Sequence, residues 1–350
     1  MKILAIETSC DDTSVAVLKA RGKKYPRFKI LSNIVSSQTE IHKKWGGVFP
    51  SLAKREHQKN LPLILKNVLR KNFGINLIAV TQGPGLEPCL WVGINFAKNL
   101  SKELSVSLIP ISHIEAHIFS NFLTPKSYSK SLFPAISLVV SGGHTQLILM
   151  KDVGKYKILG ETRDDAAGEC FDKVARILGL GYPGGPLVAK LAAKHKQKNK
   201  NCTVSLPRPM IFHKNYDFSF SGLKTAVLYL VKNLTDNGKK QLSKKQIGEI
   251  CNETQQAIID VLLTKTTKAV KNCKTKSIIL GGGVTANEEL RKQFKSRCSK
   301  LKIKFLAPSK NLSTDNAVMV AITAYFNYLK NFDRKYGDIK ADANLALPIN

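Results

Sequence analysis

The chain has 350 residues, 43% of them hydrophobic, with 55 Lys+Arg against 25 Asp+Glu and a formal charge of +30. That length buries a sizeable core and favours two lobes, while the lack of any apolar run of about 18 residues excludes a helical membrane span. The positive excess either draws polyanions, nucleic acid above all, or reflects the Lys-, Asn- and Ile-rich usage of an AT-rich coding sequence.

In chain order, residues 3–8 and 15–18 read as the strands of a hairpin around the polar turn from Thr8 to Thr13, and the N-terminus enters the first strand with no signal-peptide pattern. Ser51 to Asn72 has helical periodicity with a kink expected at Pro62. Leu77–Thr81 is a strand running into Gln82-Gly-Pro-Gly85, followed by a helix from Leu86 to Leu104. A short apolar strand ends at Ile111, Ser112 is the expected N-cap, and a new helix starts at His113. The stretch 124–134 is the expected linker. A second hairpin follows, Ala135–Val140 and Gln146–Met150 around Ser141-Gly-Gly-His-Thr145. Its likeness to the first hairpin predicts a duplicated lobe. Ala167–Leu178 is a helix stopped by Gly179, and 195–202 is expected as a lysine-rich surface loop. Residues 246–273 form a long amphipathic helix; Ser277–Leu280 is a strand turning at Gly281-Gly-Gly283 into a helix from Asn287 to Ser299. A last strand at 303–306 precedes a helix starting near Asp315. Strands alternating with helices, plus two hairpins, predict an α/β protein with mixed sheets.

His113 and His117 are four residues apart, so both imidazoles fall on one helical face and can converge on one divalent metal. An i, i+4 pair is, by itself, more often incidental. Glu115 lies roughly 200° around the helix from both, which argues against the His-Glu-x-x-His arrangement of zinc proteases. The Ser141–Thr145 turn either cradles a phosphate on its backbone N–H groups or is an ordinary tight turn. Gly281–Gly283 offers the following helix N-terminus to a phosphate or nucleoside, but it is neither Gly-x-Gly-x-x-Gly nor a Walker motif. Asp164, Asp165, Glu169 and Asp172 could contact a ribose or metal, or simply favour a helix N-terminus. The Gly181–Pro186 turn suggests close backbone approach to a ligand. Asp315 reads by spacing as a capping residue along with Ser313 and Thr314. Seven scattered cysteines, none as Cys-x-x-Cys, suggest reduced thiols and a cytoplasmic location.

Nine strings occur in order: IETSCDDTSVAV, QGPGL, HIEAH, VVSGGHTQL, GETRDDAAGECFDKVARILGLGYPGGP, RPM, DFSFSGLKTAV, GGGVTANEELR and STDNAV. Together they resemble the TsaD family, catalytic subunits of tRNA threonylcarbamoyladenosine synthesis. The resemblance implies a two-lobed actin/Hsp70/sugar-kinase-like (ASKHA) α/β fold with duplicated mixed-sheet domains and a central cleft. The lobes would be 1–130 plus 315–350, with the His pair, and 131–314, with the nucleotide-binding loops. It implies one divalent metal, iron ahead of zinc, on His113, His117 and Asp315. It implies substrate contacts at Val139, Val140, Ser141, Gly142, Gly143, Asp172, Gly185 and Asn287, with threonylcarbamoyl-AMP as donor and ATP or ADP as a further candidate for the cleft. The implied partners are tRNA, a shorter paralogous subunit, an ATPase and the threonylcarbamoyl-AMP synthase, with no membrane. No general base is identifiable. Trp91, Ala189 and Ala317 depart from what many relatives carry. A small-molecule kinase of the same fold and a non-catalytic tRNA-binding scaffold are the competing expectations.

Overall fold

The structure, a computed structural model, describes residues 1–70, 73–124, 128–198, 203–236, 238–330 and 337–347. The chain divides into two compact units: Met1–Leu132 with Val153–Tyr156 and Pro308–Asn350, and Phe133–Asp152 with Lys157–Ala307.

The first unit opens with β1 (Lys2–Glu7), β2 (Asp12–Arg21) and β3 (Arg27–Ser37), then α1 (Thr39–Lys43), α2 (Pro50–Val68), β4 (Leu77–Gly83), α3 (Glu87–Leu104), β5 (Ser107–Ser112) and α4 (His113–Phe119). Its sheet runs β3-β2-β1-β4-β5. The hairpin pairs β1–β2 and β2–β3 are antiparallel, and β1–β4–β5 are parallel. β1 is buried along almost its whole length, as a strand covered on both faces must be. β3 alternates between exposed and half-buried residues, as an edge strand does. α2 buries Ala53, His57, Leu61, Ile64 and Val68 on one stripe and continues past Pro62, which is exposed, as a single helix.

The second unit contains β6 (Ala135–Val140), β7 (Thr145–Asp152), β8 (Lys155–Glu161), α5 (Ala167–Ile177), α6 (Gly184–Lys198), α7 (Ser221–Leu234), α8 (Lys244–Asn272), β9 (Ser277–Gly281), α9 (Glu288–Leu301) and β10 (Lys304–Leu306). Its sheet order is β10-β9-β6-β7-β8, with β6–β7 antiparallel and β6–β9–β10 parallel. Read from its first hairpin, each sheet has the same order: third strand, second, first, then two parallel strands. The duplication expected from the two hairpins is present.

The chain then forms α10 (Ala317–Lys330), which belongs to the first unit. Every residue of α10 from Ala317 to Phe326 is buried, and it packs against β1, β2 and α4. A helix of Ala, Val, Ile and Met with no polar face has nowhere else to go.

One expectation is corrected. Residues 195–198 are not loop but the last turn of α6; the remainder of the expected 195–202 loop, like 125–127 of the linker and 71–72 after α2, lies outside the described residues. Lysines face solvent on this helix, while Val188, Ala192 and His195 are buried beneath them.

Packing of α3 on β1 depends on Gly93, where a Cβ would stand 2.3 Å from Thr8 Oγ1. Thr8 is itself held there by a 3.0 Å bond from that hydroxyl to the Cys89 carbonyl. Gly93→Ala is expected to destabilise the chain by about 1–3 kcal/mol, read as a lower urea midpoint, because neither neighbour can yield without breaking that bond.

Candidate metal centre

β5 ends at Ser112, whose hydroxyl accepts the Glu115 N–H at 3.4 Å and so starts α4 as expected. All seven residues of α4 are buried. The helical spacing turns His113 and His117 together, with their Nε2 atoms 3.1 Å apart. Asp315 comes to the same point: its Oδ1 lies 3.1 Å from His117 Nε2 and 3.6 Å from His113 Nε2.

Asp315 reaches this point because it is not the cap of α10. Asn316 does that work, its Oδ1 accepting the Met319 N–H at 3.0 Å while its amide donates to Thr314 O at 2.8 Å. Ser14 Oγ accepts the first N–H of α10, from Ala317, at 2.9 Å. The capping role expected of Ser313, Thr314 or Asp315 therefore passes to a neighbour, and the carboxylate of Asp315 points to the histidines.

Glu7 was not anticipated from the sequence. It ends β1 fully buried, and its Oε2 lies 3.2 Å from His113 Nδ1. The same oxygen accepts the Thr81 hydroxyl at 2.7 Å, and Oε1 accepts the Ser9 N–H at 2.7 Å. Burial pulls the Glu7 carboxyl upward, yet the neighbouring His113 and the Thr81 hydroxyl together hold it below its ordinary value. An ionised acceptor on Nδ1 keeps a ring proton there, so Nε2, facing Asp315, is the nitrogen that gives up its proton to a metal. A lone acid closing an otherwise apolar, buried strand was the signal available in the sequence.

The donor set suits a metal. Gaps of 3.1 to 3.6 Å between donors are those that ligands about 2.0–2.2 Å from one ion subtend at roughly 90–120°. The surroundings favour positive charge. Burial, then the charge of Asp315, raises the carboxyls of Asp11 and Asp12, the latter to about 7. Asp12 Oδ1 is buried and lacks a hydrogen-bond partner among the described residues. Both histidines are buried, whereas the Asp315 side chain is 21% exposed, leaving an approach from that side. Glu115 faces away: it accepts the Tyr156 hydroxyl at 2.6 Å and the Asn327 amide at 3.3 Å. His113, His117 and Asp315 could thus hold a metal, and Glu115 is not placed to be a protease base.

The other expected site residues lie in the second unit. Val139 and Val140 are core residues whose backbone pairs with Gln146 and Thr145. Ser141 N–H donates to His144 O at 2.8 Å, closing the turn, and Cβ atoms at Gly142 or Gly143 would meet nothing within 4 Å. Two glycines frame this turn. A Cβ on Gly168 at the start of α5 would lie 2.5 Å from Ser141 O, and one on Gly282 (φ +90°) would lie 2.3 Å from Val140 O. The turn thus sits between the starts of α5 and the segment leading to α9. Asp172 Oδ1 accepts the Gly184 N–H at 2.7 Å, fixing the start of α6 beside Gly185. Gly184, not Gly185, is the residue that close packing demands, since its Cβ would be 2.7 Å from Asp172 Cα. Asn287 caps α9 by accepting Leu290 N–H at 3.0 Å and donates to Gln255 at 2.7 Å. Asp164 and Asp165 are taken up locally, Asp164 by Ser219 and the Phe220 N–H, Asp165 by Lys173.

The geometry fixes a pH dependence. Burial lowers the His113 value, but Asp315 and Glu7 outweigh it and raise the ring from 6.5 to about 9. The stabilisation from the charged ring is therefore complete below about 6.5 and is lost as pH rises through about 9. A metal must displace that proton, so affinity for Zn2+ should rise by up to about tenfold per pH unit between those values. Calorimetry at pH 7.5 in two buffers of different ionisation heat should find about one proton released per metal bound. Glu7→Gln should weaken metal binding by about 10–100-fold while the far-ultraviolet circular dichroism stays unchanged.

The chain is similar to known proteins along most of its length. The family model for TsaD, tRNA N6-adenosine threonylcarbamoyltransferase, matches residues 29–322. A protein of that name from Thermosipho africanus is 49% identical over 335 residues, covering 94% of this chain and 95% of its own length. One from Thermosipho melanesiensis is 46% identical, covering 98% of each chain, and one from Clostridioides difficile is 42% identical, covering 99% and 98%. Among solved structures, full-length HypF in its phosphate- and nucleotide-bound form superposes with a TM-score of 0.57 at 12% identity. That likeness covers 93% of this chain and 46% of HypF, and it concerns the fold alone. With the family model spanning most of its length and relatives this similar end to end, the chain belongs to the TsaD family of tRNA N6-adenosine threonylcarbamoyltransferases.

Proposed function

We propose that the chain transfers threonylcarbamoyl from threonylcarbamoyl-AMP to N6 of the adenosine 3′ of a tRNA anticodon. The observation that carries this reading is the His113/His117/Asp315 constellation, intact in a member of this family. In the reaction N6 attacks the carbamoyl carbonyl carbon, the bond from that carbon to the AMP phosphate oxygen breaks, and AMP leaves as N6 loses one proton. The exocyclic amine is a poor nucleophile because its lone pair is delocalised into the ring. Rate must therefore come from orientation and from stabilising charge on the leaving oxygens.

A divalent metal held by His113, His117 and Asp315, iron in preference to zinc, would polarise the donor's carbonyl or phosphate oxygens. Glu7 holds the His113 ring in the tautomer that such binding needs, and Asn316 keeps Asp315 out of helix capping. In the second unit we assign the donor's nucleotide to the backbone of Val139–Gly143 together with Asp172, Gly185 and Asn287. The open space over Gly142 and Gly143 supports that assignment. ATP or ADP is a second candidate for the same residues. The remaining partners would be a shorter paralogue, an ATPase and the enzyme that makes the donor. No helix among the described residues is long and apolar enough to cross a membrane. The six described cysteines are free thiols, which suits the cytoplasm. Neither the kinase nor the scaffold alternative is favoured, since the relatives all carry the transferase name.

Nucleoside mass spectrometry of unmodified tRNA incubated with the chain, threonylcarbamoyl-AMP and its partner subunits should show threonylcarbamoyladenosine. His113→Ala should reduce the yield by at least about a hundredfold. No product from folded, metal-loaded wild type with active partners would rule the transfer out.

A further inference from the structure

The longest unexplained feature outside the site is a pair of exposed aromatics between α1 and α2. Trp45 is 65% exposed and Phe49 49% exposed, and their rings stack at 5.6 Å with 26° between planes. Large aromatics left in water at this level call for a partner. They are also held in place rather than loose. His42 is fully buried beneath them; its carbonyl accepts the Trp45 N–H at 2.9 Å and its Nδ1 accepts the Phe49 N–H at 3.3 Å. The other ring nitrogen of His42 is bonded to Gln38 Oε1 at 3.0 Å, and the Gln38 N–H donates to Asp11 O at 3.0 Å. One buried residue, through its carbonyl at one end and its ring at the other, thus fixes both ends of the aromatic turn. It also ties that turn to the Asp11–Asp12 segment, whose carboxyls feel the charge of Asp315.

Charge selects the partner. Lys43 and Lys44 precede Trp45, Lys54 and Arg55 follow on the second turn of α2, and all four are exposed. The acids in this stretch are Glu40, paired with Lys43 at 3.5 Å, and Glu56, which follows Arg55, so the cations remain in excess. Protein interfaces deplete lysine at their centres, whereas aromatic rings ringed by cations are how unpaired bases are gripped, by stacking on the ring and neutralising the phosphates. We propose that Trp45 and Phe49 form a stacking platform for an unpaired base of the tRNA substrate, with Lys44, Lys54 and Arg55 meeting the flanking phosphates. This rests on the tRNA reading above and adds where the RNA is held.

The chain has two tryptophans, so a Trp91→Phe background leaves Trp45 as the reporter. Titration of the full-length protein with an unmodified anticodon stem-loop RNA should quench Trp45 fluorescence saturably, and a blunt duplex of equal length should not. Trp45→Ala should weaken stem-loop binding by about tenfold, Trp45→Phe should retain most of it, and neither should alter metal stoichiometry or circular dichroism. Equal binding of the stem-loop by wild type and Trp45→Ala would overturn the platform while leaving the tRNA reading intact. So would self-association of the wild type that Trp45→Ala abolishes, which would make the patch a protein contact. Failure of wild type to bind tRNA or stem-loop at all, with partners present, would instead remove the reading on which the platform rests.

Discussion

Two imidazole nitrogens 3.1 Å apart, with a carboxylate oxygen equally near one of them, form a buried corner that needs a positive charge at its centre. Left without one, opposed lone pairs and a desolvated carboxylate are costly. A proton on His113 or a metal ion answers the need, and the surrounding elements are placed to keep the corner from relaxing. Ser112 starts α4 so that both rings share a face. Glu7 pins one ring from behind. Asn316 takes the capping task and leaves Asp315 facing inward, while Ser14 anchors the first N–H of α10.

The second unit repeats the sheet of the first but has put its hairpin turn to a different use. In the first, the segment after β1 carries Ser9, whose hydroxyl lies 3.2 Å from His113 Nδ1, alongside Glu7. In the second, the equivalent turn is Ser141–His144, a backbone loop with two glycines and open space above them. Gly168 and Gly282 allow two further segments to approach the turn within distances that no side chain would permit. One copy of the hairpin sets polar side chains against the His113 ring, and the other leaves a glycine turn with open space above it.

The His pair and its strand–cap–helix setting were legible because their signals are local: a run of apolar residues, a serine, then a four-residue spacing. The hairpins and the long helix were legible for the same reason. Glu7 was not, since its significance arises only when β1 lies beside β4 and α4 brings His113 across, contacts separated by 74 and 106 positions. Asp315 read as a cap because Ser, Thr, Asp and Asn all cap helices, and local sequence does not say which of four adjacent candidates takes the bond. α6 was missed because Gly184-Gly-Pro186 reads as a turn and the lysines after it as a loop. Proline in a first turn is compatible with a helix, and those lysines are the solvated face of one whose other face carries Val188 and Ala192. Trp45 and Phe49 were invisible as a pair until the turn between α1 and α2 stacked them.

The proposed transfer depends on His113, His117 and Asp315 holding a metal. The most direct test measures threonylcarbamoyladenosine formation against metal bound per chain, from stripped to fully loaded protein, with Asp315→Ala alongside. Product should rise in proportion to occupancy up to one metal per chain, and Asp315→Ala should show neither metal nor product. Full turnover by stripped protein, or turnover independent of occupancy, would contradict it.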